Sequence, residues 1–213
     1  MQGQNMTSTP ERIPAIEAPG APEHVLEPLR EWIDEATRTG SAFQPDEEFQ
    51  YAFIRFRVEK RGGRLRVLAP TLGRPALLLS EDCSEALRLI ARQQALMTRF
   101  GLEGSPCNSR QTALVVRDLD SCKSLFIERL AESVDDQSGW YFGAHDTELD
   151  VCDPANLANV SIWDVIGKRA EIAPYLLLPP NWQVSFHGEK PIVMRDREPV
   201  EPGRRGDAFG LAG

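Results

Sequence analysis

The sequence predicts an α+β protein built from two small modules, each a short antiparallel sheet packed with one or two helices. Its 213 residues lie between one large domain and two small ones, since domains usually run to about 100–150 residues. Apolar residues at helical spacing alternate with short β-type runs, and a Gly- and Asn-containing joint occupies 101–112. We divide the chain into a disordered lead-in (1–22), an N-terminal module (23–110), a C-terminal module (111–195) and a mobile tail (196–213).

The N-terminal module begins with an amphipathic helix and continues with a hairpin. Apolar residues recur at helical spacing over 25–36, and Gly40 supplies the expected stop. Residues 49–59 and 65–68 are rich in aromatic and branched side chains, and Gly62-Gly63 stands between them. A Gly-Gly pair between two such runs is a β-hairpin signal.

A second helix is expected to close this module. Ser80 stands in the N-cap position, acidic residues follow it, and Gly101 ends the pattern. The apolar stripe between these two residues is typical of a helix face that packs on a core.

The C-terminal module contains short β-type runs and one further helix. The runs are 113–117, 125–127, 140–142, 183–186 and 192–194. Ser161 opens the helix with Asp164 in the capping-box position, and Pro174 is expected to close it.

Composition and charge limit the class of protein. The chain is 41% hydrophobic and 26% charged, which is typical of a folded domain. No stretch approaches the ~18 apolar residues of a membrane span, and the N-terminus has no basic-then-apolar leader. We therefore expect a cytoplasmic protein without a membrane partner, and free, partly buried thiols at its four cysteines.

The net charge of −8 falls mostly on the second half of the chain. Residues 111–213 hold 10 Lys and Arg against 17 Asp and Glu. An acidic surface repels nucleic acid and attracts basic partners. Direct binding of nucleic acid is therefore not expected.

The 55–66 segment is an exception because it is basic. Five arginines decorate the predicted hairpin, and Phe53 and Phe56 lie beside them. The segment could be a phosphate-binding ribbon on which bases stack. We favour a solvated face whose arginines pair with nearby acids and protect an edge strand from self-association. The arginines are Arg55, Arg57, Arg61, Arg64 and Arg66.

No local motif of a catalytic or nucleotide-binding site is present. The sequence lacks G-x-S-x-G, Walker, Rossmann, H-E-x-x-H and deaminase patterns. Its three histidines are widely separated. We therefore expect neither an enzyme nor a cofactor or metal site.

The most distinctive local feature is a cluster of acids without an intervening Lys or Arg. It could form a metal site for an enzyme or regulator, a solvated loop, or a surface that presents carboxylates to a basic partner. An EF-hand is excluded because Val151 and Leu157 occupy its required Gly and Glu positions. The acids are Asp135, Asp136, Asp146, Glu148, Asp150 and Asp153.

A series of short motifs over residues 113–195 resembles the family known as immunity protein thirty-three. The motifs are Ser138-Gly139-Trp140-Tyr141-Phe142, Asp153-Pro154-Ala155-Asn156, Val160-Ser161-Ile162-Trp163-Asp164-Val165-Ile166, Ala173-Pro174-Tyr175-Leu176, and Pro180 ahead of Phe186.

The resemblance implies that the chain protects a cell from a toxin. Such bacterial domains are encoded beside polymorphic toxins, including type VI secretion effectors, and neutralise the cognate toxin by binding it. We therefore expect the six acids to face a basic toxin, with a nuclease as the leading candidate. Trp140 is either an interface anchor or a core residue, and the core is favoured. A homodimer remains open.

Overall fold

Two β-sheets and three α-helices make up the described part of the chain. This computed structural model describes residues 13–40, 43–74, 78–105, 107–130 and 137–203. The predicted α+β class is confirmed. None of the helices in these ranges is both long and apolar enough to cross a bilayer.

The first sheet has four antiparallel strands in the order β1-β2-β3-β4. Helix α1 (Glu23–Arg38) precedes it, as predicted, and buries Leu29 and Ile33. Gly62 and Gly63 join β2 to β3 with φ of 57° and 82°, the positive values that a type I′ turn requires. The strands are β1 (Glu48–Tyr51), β2 (Ile54–Arg61), β3 (Arg64–Pro70) and β4 (Leu79–Ser80).

The aromatic run over 49–59 forms two strands where we expected one. The chain reverses at Ala52, whose φ is +50°, and β1 then pairs with β2. The reversal lets the Phe49 and Phe56 rings stack with centroids 5.5 Å apart. Apolar content alone does not separate one long strand from two short ones, because a tight turn can occupy an apolar run.

Helix α2 (Ser84–Phe100) begins three residues later than the Ser80 N-cap predicts. Ser80 belongs to β4, and its hydroxyl accepts from the Asp82 amide at 3.1 Å. The Asp82 carboxylate then accepts from the Ser84 amide at 2.9 Å, so Asp82 serves the helix start. The predicted end is confirmed, because Gly101 lies in the left-handed region with φ of 66°.

The second sheet has seven strands in the order β11-β10-β9-β6-β7-β5-β8. It differs from the expected antiparallel sheet in one pair, since β5 and β7 run parallel. The strands are β5 (Thr112–Val116), β6 (Leu125–Arg129), β7 (Gln137–Ala144), β8 (Leu157–Ser161), β9 (Trp182–Phe186), β10 (Ile192–Arg195) and β11 (Glu198–Pro199).

Helix α3 (Ile162–Lys168) starts as predicted but ends early. The Ser161 hydroxyl caps it by accepting from the Trp163 amide at 3.2 Å. Pro174 does not close this helix, because a separate 3₁₀ helix, Ala170–Tyr175, follows and contains the proline. Pro174 sits in the last turn of that second helix rather than just beyond α3.

The buried side chains of both sheets belong to one hydrophobic cluster. Helix α2 packs against the 3₁₀ helix Ala170–Tyr175, and the buried Gln93 amide donates to the Ala173 carbonyl at 2.9 Å. The boundary near residue 110 stays a prediction.

All four cysteines are free. Burial raises the pKa of Cys83 to about 12 and that of Cys107 to about 11.

The ends of the described chain are bonded to the fold. We expected residues 1–22 to be a disordered lead-in. Residues 1–12 lie outside the described part, but Ala15 exchanges backbone hydrogen bonds with β3, donating to Leu65 and accepting from Val67. In the expected mobile tail, β11 pairs with β10, and residues 204–213 lie outside the described part.

Four of the five arginines of the 55–66 hairpin pair with acids, as we favoured. Glu48, only 19% exposed, accepts from Arg57 at 2.7 Å and from Arg110 at 2.5 Å, with Arg55 at 3.6 Å. Arg61 contacts Glu59 and Glu81, and Arg66 contacts Glu17. Burial raises the pKa of Glu48, but the bonds from Arg57 and Arg110 outweigh it, so the net shift is downward.

We predict that Glu48→Gln lowers the free energy of unfolding at pH 7 by about 1–2 kcal/mol, because three guanidinium groups lose a shared anion. The lowered pKa means that the contribution of Glu48 is complete above the unfolded pKa of ~4.3. The contribution is lost as pH falls through the folded pKa. Urea unfolding at several pH values measures this.

The matched control for this prediction is Glu35→Gln, which removes an exposed i,i+3 partner of Arg38. It should cost no more than about 0.5 kcal/mol. Equal losses in the two variants would contradict the role given to Glu48.

Candidate functional site

The acidic cluster lies mainly in the loop that leaves the end of β7. Residues 145–156 connect β7 to β8 and carry Asp146, Glu148, Asp150 and Asp153, all exposed. Asp135 and Asp136, predicted in the same cluster, lie outside the described residues. We call residues 145–153 the acidic loop.

Asp146 ties the acidic loop to the start of β6. Its carboxylate accepts from the backbone amides of Lys123 at 2.9 Å and Ser124 at 3.2 Å. The bond from the Lys123 amide is the main cause that lowers the pKa of Asp146. The Asp146 carboxylate therefore anchors the acidic loop to the backbone before β6, and it is also a surface charge.

Asp150 and Asp153 also bond to nearby backbone. Asp150 accepts from the Cys152 amide and Asp153 from the Ala155 amide, each at 2.9 Å. Asp153 thereby caps a short 3₁₀ helix, Pro154–Asn156. Such local bonds are typical of aspartates in turns, and they fix where both carboxylates point.

Glu148 differs from the three aspartates. It is exposed and makes no hydrogen bond or ion pair within the described residues. Its neighbour Thr147 donates to both carboxylate oxygens of Asp118 at 2.9 and 2.8 Å. Asp118 therefore joins the site, although the sequence places it well before the cluster.

Trp140 is a core residue. It is 1% exposed, its indole donates to the Leu176 carbonyl at 3.1 Å, and the Arg129 guanidinium lies 5.5 Å from the ring. The assignment of Trp140 to partner binding is therefore corrected. It supports the sheet from the buried side.

A row of rings lies on the opposite face of the same strands. Ring centroids are separated by 5.7 Å from Tyr141 to Phe126, 5.0 Å from Phe126 to His145, and 6.3 Å from His145 to His187. Sequence reasoning missed this row because it dismissed the histidines as widely spaced. The available signal was that apolar residues occupy both alternating positions over 125–127 and 140–142.

Each of the two imidazoles forms a hydrogen bond with a serine hydroxyl. His145 Nε2 lies 2.9 Å from Ser185 Oγ, and His187 Nδ1 lies 2.9 Å from Ser124 Oγ. The Tyr141 hydroxyl is buried without a hydrogen-bond partner in the described residues. Burial, followed by the charges of Glu128 and Asp118, raises the pKa of Tyr141.

The structure also bears on the two alternative sites, the metal site and the nucleic-acid surface. Within the described residues, no three His, Cys, Asp or Glu side chains come together as a metal site. For nucleic acid, the proposed stacking residues Phe53 and Phe56 are both 0% exposed. They cannot stack on bases, which contradicts that use of the hairpin.

The second sheet and its β7–β8 connection place carboxylates that are bonded to backbone amides on the surface. Residues 92–196 match the family model described as the Imm33-like domain, the family that the resemblance indicated. The match begins inside α2, before residue 113 where the resemblance begins. No curated protein and no solved structure matches the chain.

We predict that the amide proton signals of Lys123 and Ser124 report the titration of Asp146. Because their bonds stabilise the carboxylate, the NMR midpoint should lie below the ordinary value of ~3.9. As pH falls through that midpoint, both amides lose a charged acceptor. Asp146→Asn should abolish the transition, and an unchanged transition in this variant would contradict the assignment.

Proposed function

We propose that this protein is an immunity protein that binds a cognate secreted toxin in the cytoplasm and neutralises it by occluding its active site. The observation that carries the proposal is the Imm33-like domain over 92–196. Occlusion needs a stable scaffold and a complementary surface, and it needs no catalytic group on the inhibitor. A standard interface of ~1,600 Å² is sufficient for tight binding.

The chemistry of the acidic loop supports a basic toxin. A nuclease, including one delivered as a type VI effector, binds phosphates with a positively charged cleft, and carboxylates can occupy such a cleft in place of phosphates. Asp146, Asp150 and Asp153 are each bonded to backbone amides, so little ordering of the loop is required on binding. Opposite charges also raise the association rate.

The four described acids are not equivalent as probes of this proposal. Charge reversal at Asp146 or Asp150 would also remove a backbone hydrogen bond of the loop. Glu148 makes no such bond in the described residues, so its reversal tests charge with the least structural change.

We predict that Glu148→Lys slows association with the toxin encoded beside this chain, by about three- to tenfold in low salt. The effect should shrink as salt rises, because screening weakens exposed charges. Stopped-flow or surface-binding kinetics at several salt concentrations measures this.

Glu31→Lys on α1 is the matched control, because Glu31 is also exposed and the charge change is the same. It should leave the association rate nearly unchanged. Equal slowing in both variants would indicate a net-charge effect and would reject the acidic loop as the contact. Equal survival of toxin-producing cells with and without the wild-type chain would reject the immunity function itself.

A further inference from the structure

The seven-stranded sheet has a buried inner face and a partly exposed outer face. Side chains alternate between them, so Ile127, Phe142 and Val184 are each 0% exposed on the inner face. The cross-strand partners of Ile127 are Phe142 and Val184, which fixes them on that face. Phe126 and Tyr141, one residue away, project to the other side.

The outer face is unusually apolar for the partly exposed side of a sheet. None of its five large apolar side chains belongs to the hydrophobic core cluster. Antiparallel sheets with one solvated face usually alternate apolar and polar residues, whereas apolar residues on both faces are typical of sheets covered on both sides. The outer apolar residues are Leu114, Phe126, Tyr141, Ile192 and Met194.

The centre of this face is held rigidly. Phe126 lies against Gly143, where an added Cβ would come within 2.5 Å of the Phe126 ring. The Phe126 ring also contacts Tyr141 and His145. Rigid aromatic groups lose little conformational freedom on binding, which favours them as anchors of interfaces.

Carboxylates border the rings on two sides. Glu128 lies on the outer face opposite Tyr141 and Gln183, and Asp146 follows His145 directly at the end of β7. An aromatic centre with a charged rim is the usual anatomy of a protein interface. Because the carboxylates at the border are negatively charged, they favour a partner that carries basic residues around an apolar centre.

We propose that the outer face of β6, β7, β9 and β10 is the surface that docks the toxin, and that the acidic loop forms one edge of it. This inference rests on the proposed immunity function. The toxin segment that fits is a basic protein surface in which Arg or Lys side chains flank an apolar side chain. The apolar side chain covers Phe126, and the cations pair with Glu128 and Asp146.

The experiment measures binding of a catalytically inactivated form of the toxin encoded beside this chain. Phe126→Ala removes the central ring, and Ile192→Arg places a cation on the same face, where Ile192 is 46% exposed. Each should weaken affinity at least about tenfold, mainly through faster dissociation. Thermal unfolding of each variant tests whether it remains folded. If Phe126→Ala does not fold, Ile192→Arg still tests the docking face.

The controls change an isoleucine and an aromatic residue that lie outside the seven-stranded sheet. Ile13→Arg changes another isoleucine that is 46% exposed, and Trp32→Ala removes an aromatic residue that is 39% exposed on α1. Both should retain wild-type affinity. Retained affinity in Phe126→Ala and Ile192→Arg, with a wild-type chain that binds, would overturn the docking face and leave the immunity function standing.

Two further outcomes would show that the immunity function is wrong or that the outer face binds a second copy of the chain. A wild-type chain that neither binds nor protects would remove the proposed function and this inference together. Sedimentation of the chain alone tests a second copy as the occupant. A stable dimer that Ile192→Arg separates would assign the outer face to self-association and overturn toxin docking.

Discussion

The antiparallel pairing of β6 with β7 is the constraint on which the candidate site depends. Its register sets Ile127 opposite Phe142 and Phe126 opposite Gly143. A shift by one residue would exchange the two faces, because side chains alternate along a strand. The register therefore decides that Trp140 lies in the core and that Tyr141 faces outward. It also places the acidic loop, which follows β7, at the end of the sheet where β6 begins.

The bonds of the acidic loop give its carboxylates two roles. Asp146, Asp150 and Asp153 accept hydrogen bonds from backbone amides, and each of these side chains is also exposed at the surface. A loop of this kind keeps its charge pattern without a metal ion or a partner. The same bonds explain why acidic residues can be closely spaced in sequence without forming a ligand cluster.

Local signals in the sequence predicted much of the fold. The spacing in α1, the Gly62-Gly63 turn, the glycine after α2 and the Ser161 cap each act over a few residues, and each was confirmed. The start of α2 was wrong because Ser80 and Asp82 both carry capping oxygens. Pro174 was misleading because a proline can lie in a 3₁₀ helix beyond an α-helix that has already ended.

Features that depend on distant parts of the chain were not predictable in this way. The parallel pairing of β5 and β7 joins strands that are separated by β6 in sequence. The row of rings needs His187 to reach Ser124, 63 positions away. For the site, composition identified the acidic loop, but only the sheet register distinguishes the buried Trp140 from the outward Phe126.

The most direct test of the central claim, that this chain acts by covering a toxin with one defined surface, is hydrogen–deuterium exchange of the chain with and without the inactivated toxin. The account predicts slower exchange in the complex at residues 124–128, 141–150 and 183–194. Protection confined to the first sheet, at 48–70, would contradict the account, as would exchange that the toxin leaves unchanged.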